Sequence, residues 1–264
     1  MTDFQGFYEA GLSVEIYDTM FDEEFTQQLG DVRFYSEYAK KDSLIIELGS
    51  GTGRVSCALA ELGYKVLGIE NSDAMLNIAN AKRKGLKQKG AKFIKADMKS
   101  FSVKIPASLI IIPFRSFEML LDVEDQIACL NNISKHLDQQ GKLIIHITYP
   151  NSEQLKPGLR KPDKSWCSQV PHPKTGNRVL MDAKSINNNV VNQVSREIWK
   201  FKEFSDDEDV LRLETREIIW RWTNPPELKS MLENNGFTVL EHYSDFNRNH
   251  LMYGGQQIIV ADKL

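Results

Sequence analysis

Cysteine, long apolar runs and an excess of either charge are all scarce in this chain. Only three cysteines occur, Cys57, Cys129 and Cys167. Their odd number and spacing exclude a zinc module and argue against a disulfide framework. Cys57 and Cys129 fall in helical patterns and read as small core residues, as suits a reducing compartment. No run approaches the ~18 apolar residues that a membrane span requires, so none is expected. The start, Met1-Thr2-Asp3-Phe4, has neither a basic nor an apolar leader segment, and a cytoplasmic location is expected from that. The net charge of −3 leaves no overall electrostatic footprint for nucleic acid. The cluster Lys82-Arg83-Lys84 with Lys87 and Lys89 reads as a solvated helix end. With 264 residues and no internal repeat, the chain can bury one α/β core and carry an elaboration on it.

What the chain does have is the stretch from Leu44 to Arg54. The apolar run Leu44-Ile45-Ile46 closes on Glu47, and Gly49, Gly51 and Gly53 follow at alternate positions. Such a run, closed by glycines, predicts a strand buried on both faces. Val55, Ala58, Leu59 and Leu62 then recur at helical spacing up to Gly63. Strand, glycine turn and helix together place bare backbone where a ligand can approach it, beyond the carboxyl end of a strand. A dinucleotide fingerprint needs glycine or alanine where Arg54 stands, or glycine where Ser56 stands, and the phosphate-binding loop of nucleotide hydrolases needs Gly-Lys-Ser/Thr. None of these is met, which disfavours a nicotinamide oxidoreductase.

Alternation continues downstream. Lys65–Ile69 is a second strand ending at Glu70, about 20 residues past the turn, where an acid accepts from ribose hydroxyls. Ser72 or Asp73 caps a helix to Lys84. A third strand, 92–96, is followed by Asp97-Met98. A fourth, Ser108–Ile112, ends at Pro113-Phe114-Arg115. A helix capped by Asp122 leads through the turn Asp138-Gln139-Gln140-Gly141 to a fifth strand, Lys142–Ile147, ending near Thr148-Tyr149-Pro150. This order predicts an α/β protein with a doubly wound, mostly parallel sheet.

The pattern then breaks. Prolines at 150, 157, 162, 171 and 173 mark a long loop over 151–177. Two ligands, Cys167 and His172, do not make a metal site, and none is expected. From Arg178 to Trp222 the period becomes two. Asn187-Asn188-Asn189 and Ser205–Asp209 read as the turns of a three-stranded antiparallel insert, with Leu211, Leu213, Ile218, Trp220 and Trp222 on its apolar side. Asn224-Pro225-Pro226 opens a last helix, and Phe237–Tyr243 and Gln256–Ala261 close the sheet. Residues 1–40 are rich in aromatics and read as one or two helices. They form either a cap on a sheet edge or a lid with Tyr17 facing a ligand.

Four positions agree: E-x-G-x-G-x-G over Glu47–Gly53, then Glu70, Asp97-Met98, and the strand ending at Pro113. Together they resemble motifs I to IV of the class I S-adenosylmethionine (SAM) methyltransferases. The turn before the fifth strand is similar to that family's L-x-P-G-G-x-L element but carries glutamines for its proline and first glycine. The resemblance covers 44–150 well and 223–264 in outline. Residues 151–222 resemble, in kind, the insert of small-molecule N-methyltransferases. It implies a seven-stranded Rossmann-like sheet divided into a 1–40 cap or lid, a 41–150 cofactor core, a 151–222 substrate roof and a 223–264 closing segment.

By that resemblance SAM would be the cofactor. Gly49, Gly51 and Gly53, with Ser50 and Arg54, would form its turn, and Glu47 would interact with its ammonium. Glu70 would bind the ribose, Asn71 and Met75 would border the adenine, and Asp97 beside Met98 would accept from the adenine amino group. Pro113 and Phe114 would lie near the sulfonium, and on the lid reading Tyr17 would face the cofactor. The implied reaction is in-line methyl transfer to nitrogen or oxygen of a small molecule, and a homodimer is an assembly left open. RNA or protein methylation is the alternative, but Ile112-Pro113-Phe114-Arg115 lacks the N/D-P-P-Y/F of base-amino methylases. A silent SAM-binding partner subunit is another. A hydroxyl acceptor needs a base, for which Tyr149, Arg115 and His146 stand at strand ends. His146 lies within the fifth strand and reads first as a hydrogen-bonded core histidine, ahead of a base. Arg115 reads as a clamp for a substrate anion or as the partner of Glu118 on the surface.

Overall fold

A computed structural model describes residues 5–156, 158–160 and 169–264. The metal reading at Trp166 and Cys167, and Pro157 and Pro162 of the long loop, lie outside the described residues. The chain divides into two compact units, one of residues 30–151 and 221–264, the other of residues 1–29 and 152–220. The stretch 1–40 is thus shared between them rather than forming one cap.

The larger unit is built on seven strands: β1 (Leu44–Leu48), β2 (Lys65–Glu70), β3 (Ala91–Lys95), β4 (Ala107–Ile112), β5 (Leu137–Thr148), β6 (Phe237–Tyr243) and β7 (Gln256–Lys263). Their order is β6-β7-β5-β4-β1-β2-β3. The first five run parallel, and β7 and β6 close the sheet antiparallel. Helices α1 (Asp31–Tyr38), α2 (Arg54–Glu61), α3 (Asp73–Lys84), α4 (Val123–His136) and α5 (Pro225–Asn234) accompany them. This is the doubly wound α/β sheet that the sequence predicts.

Burial explains why β4 is central. All six of its residues are buried, each isoleucine contributing about 1.5–3 kcal/mol. Ile46, Leu48, Ile110, Ile112, Leu143 and Ile145 pack with Leu130, Ile133, Leu228 and Leu232 of α4 and α5 in one core cluster. Ser72 caps α3 by accepting from the Met75 N–H at 3.2 Å.

Three local expectations shift. Helix α2 buries Val55, Ser56, Cys57, Leu59 and Ala60, whereas Leu62 is exposed just past its end. The hydroxyl of Ser56 has a buried partner, so a serine turns inward where a leucine was expected. Asp122 stands at the cap position of α4, but its side chain makes no capping bond. The turn at 138–141 is absorbed into β5: Ala107 pairs Leu137, and Leu109 then pairs Lys142. Asp138 accepts from the Gln140 N–H inside this bulge.

The smaller unit carries a six-stranded sheet in the order Gln5–Gly6, Val210–Arg221, Val194–Phe204, Arg178–Asn189 and Gly158–Arg160, with Gln169–Pro171 also paired to Arg178–Asn189. The expected loop therefore contributes two short strands. The first hairpin turn falls after Asn189, not on Asn187–Asn189, because Asn189 still pairs Val194. The long strand leads to Trp220 and Trp222, buried as expected, but its first half inverts the expected faces. Leu211 and Leu213 are exposed, whereas Arg216 is buried. The inward polar side is satisfied by ion pairs: Arg212 binds Glu15 and Glu214, and Arg216 binds Glu214. His172 joins at 2.8 Å from Glu15. Short helices Leu12–Glu15, Tyr17–Met20 and Glu23–Leu29 complete this unit.

Candidate functional site

Strand order reverses between β1 and β4, and a crevice for ligands opens at such a switch point. The glycine turn ends one of these strands and Pro113-Phe114-Arg115 the other.

Each glycine of the turn has a left-handed φ, 69° at Gly49, 53° at Gly51 and 79° at Gly53. Their surroundings separate their roles. A Cβ on Gly49 would stand 2.4 Å from Ser116, and one on Gly53 2.6 Å from Phe93. Packing therefore demands both. A Cβ on Gly51 would meet nothing within 4 Å, so this is the glycine whose backbone faces open space. The turn is fastened by the Gly49 and Ser50 N–H groups donating to the Ile69 carbonyl at 2.9 and 3.0 Å. The Ser50 hydroxyl is buried without a hydrogen-bond partner.

Glu70 reaches back to this turn. One carboxylate oxygen accepts from the Gly51 N–H at 2.7 Å, and the other accepts from Asn71 and Ser72, each at 2.8 Å. Three backbone donors fix the carboxylate in place beside the open glycine. Asn71 is exposed and Met75 is buried. Asp97 accepts from the Lys99 N–H at 2.8 Å, and Lys99 is drawn to Asp125 at 2.8 Å. The Met98 side chain packs against the core cluster, its methyl 3.6 Å from the Cβ position of Gly49.

Beneath the turn lies a charged group that the sequence did not foretell. Asp31 of α1, fully buried, takes both terminal nitrogens of Arg54, at 3.1 and 2.5 Å. The guanidinium lies 5.7 Å from the Phe114 ring centroid. Glu47 is buried and accepts from the Ser56 hydroxyl. Burial pushes its carboxyl up to about 8, against the opposing hydrogen bond from Ser56 and the charge of Arg54. The Tyr35 hydroxyl is buried without a hydrogen-bond partner. Nothing in local sequence marks Asp31, which lies 23 residues from Arg54.

On the other side, Phe114 and Arg115 both take left-handed backbone, φ 48° and 73°, which is uncommon outside glycine and clusters at functional sites. His146 holds this bend: its carbonyl accepts from the Arg115 N–H at 2.9 Å and its Nδ1 from the Phe114 N–H at 3.2 Å. Its Nε2 therefore carries the proton and donates to Gln256 at 3.0 Å. Burial pulls the imidazole down to about 4. Both ring nitrogens are engaged, an arrangement that suits a core histidine. Arg115 does pair with Glu118, Nε to carboxylate 3.0 Å, yet Glu118 is buried rather than on the surface. The same carboxylate accepts from both the Thr148 N–H and its hydroxyl at 2.5 Å. Tyr149 follows, its backbone locked to Gly254 and Gly255 at 2.8 and 3.0 Å and its ring edge-on to Tyr253. Tyr17 belongs to the smaller unit, where its ring meets Tyr8 and Phe21.

No cluster of His, Cys, Asp or Glu among the described residues could hold a metal ion, and none of their helices is long and apolar enough to cross a membrane.

Residues 39–236, more than half of the chain, match the methyltransferase domain family. A curated relative, the cypemycin N-terminal methyltransferase of a Streptomyces species, is 25% identical over 147 residues, or 55% of this chain. The chain spans 58% of that relative's length. Among solved structures, the CcbJ methyltransferase of Streptomyces caelestis superposes with a TM-score of 0.77 at 20% identity, covering 98% of both chains. CalS10, a SAM-bound amino pentose methyltransferase of Micromonospora echinaspora, gives 0.64 at 17% identity, covering 92% of this chain and 91% of its own. These likenesses establish the fold, and the match over residues 39–236 establishes the family: this chain belongs to the methyltransferase domain family and folds in the class I manner its glycine turn suggested.

Proposed function

We propose that the protein is a SAM-dependent methyltransferase acting on an amino nitrogen of a small molecule. The observation that carries this reading is the pairing of Glu70 with the Gly51 N–H. A carboxylate fixed beside a glycine that faces open space suits a ribose diol on bare backbone. The unpartnered Ser50 hydroxyl adds a buried polar atom at the same turn, so the residues present fit a polar, nucleoside-bearing ligand.

In this reading Gly49, Gly51 and Gly53, with Ser50, carry the aminoacyl and ribose parts of SAM, and Glu70 binds the ribose hydroxyls. Asn71, Met75, Asp97 and Met98 border the adenine. Arg54 braces the turn through Asp31, and Glu47 faces the ammonium. Pro113 and Phe114 wall the methyl-bearing end. When bound, SAM supplies an activated methyl group on a sulfonium leaving group. The chain contributes alignment of nucleophile, carbon and sulfur, a contribution that reaches about 7–11 kcal/mol in favourable systems.

The acceptor follows from the strand ends. His146 has no free nitrogen, and Arg115 is held by Glu118. A neutral amine needs no strong base, whereas a hydroxyl does, so nitrogen is favoured over oxygen. The name of one relative, an N-terminal methyltransferase, is in line with the same choice. Oxygen remains for Tyr149 to serve, and an N-methylated product from an amine screen would decide against it.

The test is calorimetric titration with SAM, S-adenosylhomocysteine and NADH in parallel. Saturable binding of the first two alone is expected. Glu70→Ala should weaken SAM about 10–100-fold, the worth of hydrogen bonds to a charged group. Unchanged affinity in that variant would remove Glu70 from the ribose site.

A further inference from the structure

The bend that follows β4 carries side chains its shape does not require. Phe114 and Arg115 are consecutive left-handed residues, φ 48° and 73°. Glycine takes such backbone without strain, whereas residues with a Cβ do not. The bend itself is held by backbone donors: the Arg115 N–H donates to the His146 carbonyl at 2.9 Å, and the Phe114 N–H donates to Nδ1 of His146 at 3.2 Å. Two glycines would keep both bonds. What phenylalanine and arginine add, at the cost of strain, is their side chains. Strain retained in this way is a mark of a site that uses them.

The arginine is aimed from within. Glu118 accepts from its Nε at 3.0 Å, and the acid is only 1% exposed while the arginine side chain keeps 24% of its surface exposed. The other oxygen of Glu118 accepts from the Thr148 N–H and hydroxyl, both at 2.5 Å. The carboxylate thus ties Arg115 to the last residue of β5. With three donors inside the protein, it acts as a strut and not as a face for a ligand. The neighbouring Arg54 is held in another way, because Asp31 takes both of its terminal nitrogens. Arg115 is gripped at Nε, which fixes the direction of the fork. Its guanidinium stays charged at any working pH and matches the paired oxygens of a carboxylate or phosphate.

We propose that Arg115 anchors an anionic group, a carboxylate or a phosphate, on the amine that accepts the methyl group. The inference rests on the reading of the protein as an N-methyltransferase and narrows its substrate class to small amines that also carry a negative charge. Arg115 follows Phe114 directly, and in that reading Phe114 walls the methyl-bearing end. An anion held there leaves the nitrogen of the same molecule beside the methyl group. The division of labour is chemical: the nitrogen must be neutral to attack, whereas the anchor sits on a part of the substrate that the reaction leaves unchanged. A neutral amine would give the arginine nothing to hold.

The experiment loads the protein with S-adenosylhomocysteine and titrates it with acetate and, separately, with inorganic phosphate, chloride holding the ionic strength constant. The arginine Nε–H resonances are followed by NMR, and Arg115→Lys identifies the one that belongs to Arg115. A saturable shift of that resonance is expected. Saturation by acetate alone names a carboxylate and by phosphate alone a phosphate. Arg115→Gln should weaken the anion at least about tenfold, the worth of a hydrogen bond to a charged group. The same variant should bind S-adenosylhomocysteine as the parent does in calorimetry, which also shows that it is folded. No saturable shift with either anion, or anion binding that survives in Arg115→Gln, would overturn the proposal and leave the methyltransferase reading standing. If Arg115→Gln weakens S-adenosylhomocysteine but not 5′-methylthioadenosine, the arginine holds the cofactor's own carboxylate and the proposal falls as well. Failure of the parent protein to bind S-adenosylhomocysteine would overturn the cofactor reading, and this inference with it.

Discussion

Glu15 and Glu47 are two acids with opposite fates. In the smaller unit, Glu15 is pulled down to about 2, chiefly by its hydrogen bonds from Arg212, with His172 adding to the effect against burial. In the larger unit, Glu47 is pushed up to about 8 by burial. Having a cation within reach does not separate the two, because Arg54 stands near Glu47 as Arg212 stands near Glu15. What separates them is burial and direct contact: Glu47 is almost wholly buried with Arg54 turned to Asp31, whereas the part-exposed Glu15 accepts hydrogen bonds from Arg212 itself. The antiparallel insert buries charge in a closed network of partners, and the cofactor core leaves one acid without a counter-charge.

The comparison can be broken most forcefully at Glu118. It is the core's counterexample, a buried acid whose donors are Arg115 and Thr148. Glu118→Ala should cost about 3 kcal/mol in urea unfolding, because it removes the buried acceptor of the Thr148 N–H and hydroxyl at the end of β5 and the carboxylate beside the half-buried Arg115. A smaller loss would mean that the bend at Phe114 and Arg115 is held by His146 alone.

Next come the two acids themselves, with opposite signs. A carboxyl raised in the fold loses stability as pH climbs from its unfolded value toward the folded one; a lowered one contributes stability that vanishes as pH falls. Glu47→Gln should therefore stabilise the protein at pH 8, by up to about 4 kcal/mol, and do little at pH 5. Glu15→Gln should destabilise at pH 7 by about 1 kcal/mol, since solvent screens this half-buried pair, and do progressively less between pH 4.5 and 2. Thermal unfolding across pH reads both, and a common sign would erase the contrast. The smallest effect belongs to the exposed leucines of the insert. Leu213→Ser should change stability by no more than about 0.5 kcal/mol, and a larger loss would show that this face is covered in solution.

How much of this was legible beforehand follows from the same physics. A strand buried on both faces, such as Leu109–Ile112, can only be apolar, so the parallel sheet and its glycine turn stood out. Glu70 was found by its distance from the turn. The insert misled where its inner face proved ionic: Leu211 and Leu213 alternate as a core side would, yet Arg212, Glu214 and Arg216 turn inward because Glu15 meets them from a helix about 200 residues earlier in the chain. Asp31 was invisible for a like reason, since an ion pair across two helices leaves no spacing in the sequence. His146 was legible as a residue but not as a role. Only its partners, the Phe114 N–H as donor and the Gln256 side-chain oxygen as acceptor, show that its lone pair is already used.

The bulge at 138–141 has a mechanical consequence. Four residues of β5 stand opposite one of β4, and the ladder resumes at Lys142 with both neighbours in register. The strand is therefore two stiff segments joined by a slack one. A shift of α4, whose last turn leads directly into Leu137, can be absorbed as bending of the Asp138–Gly141 arc instead of sliding the strand. His146, Thr148 and Tyr149 hang on the far segment, so the end of the strand that shapes the site is insulated from movement at its start.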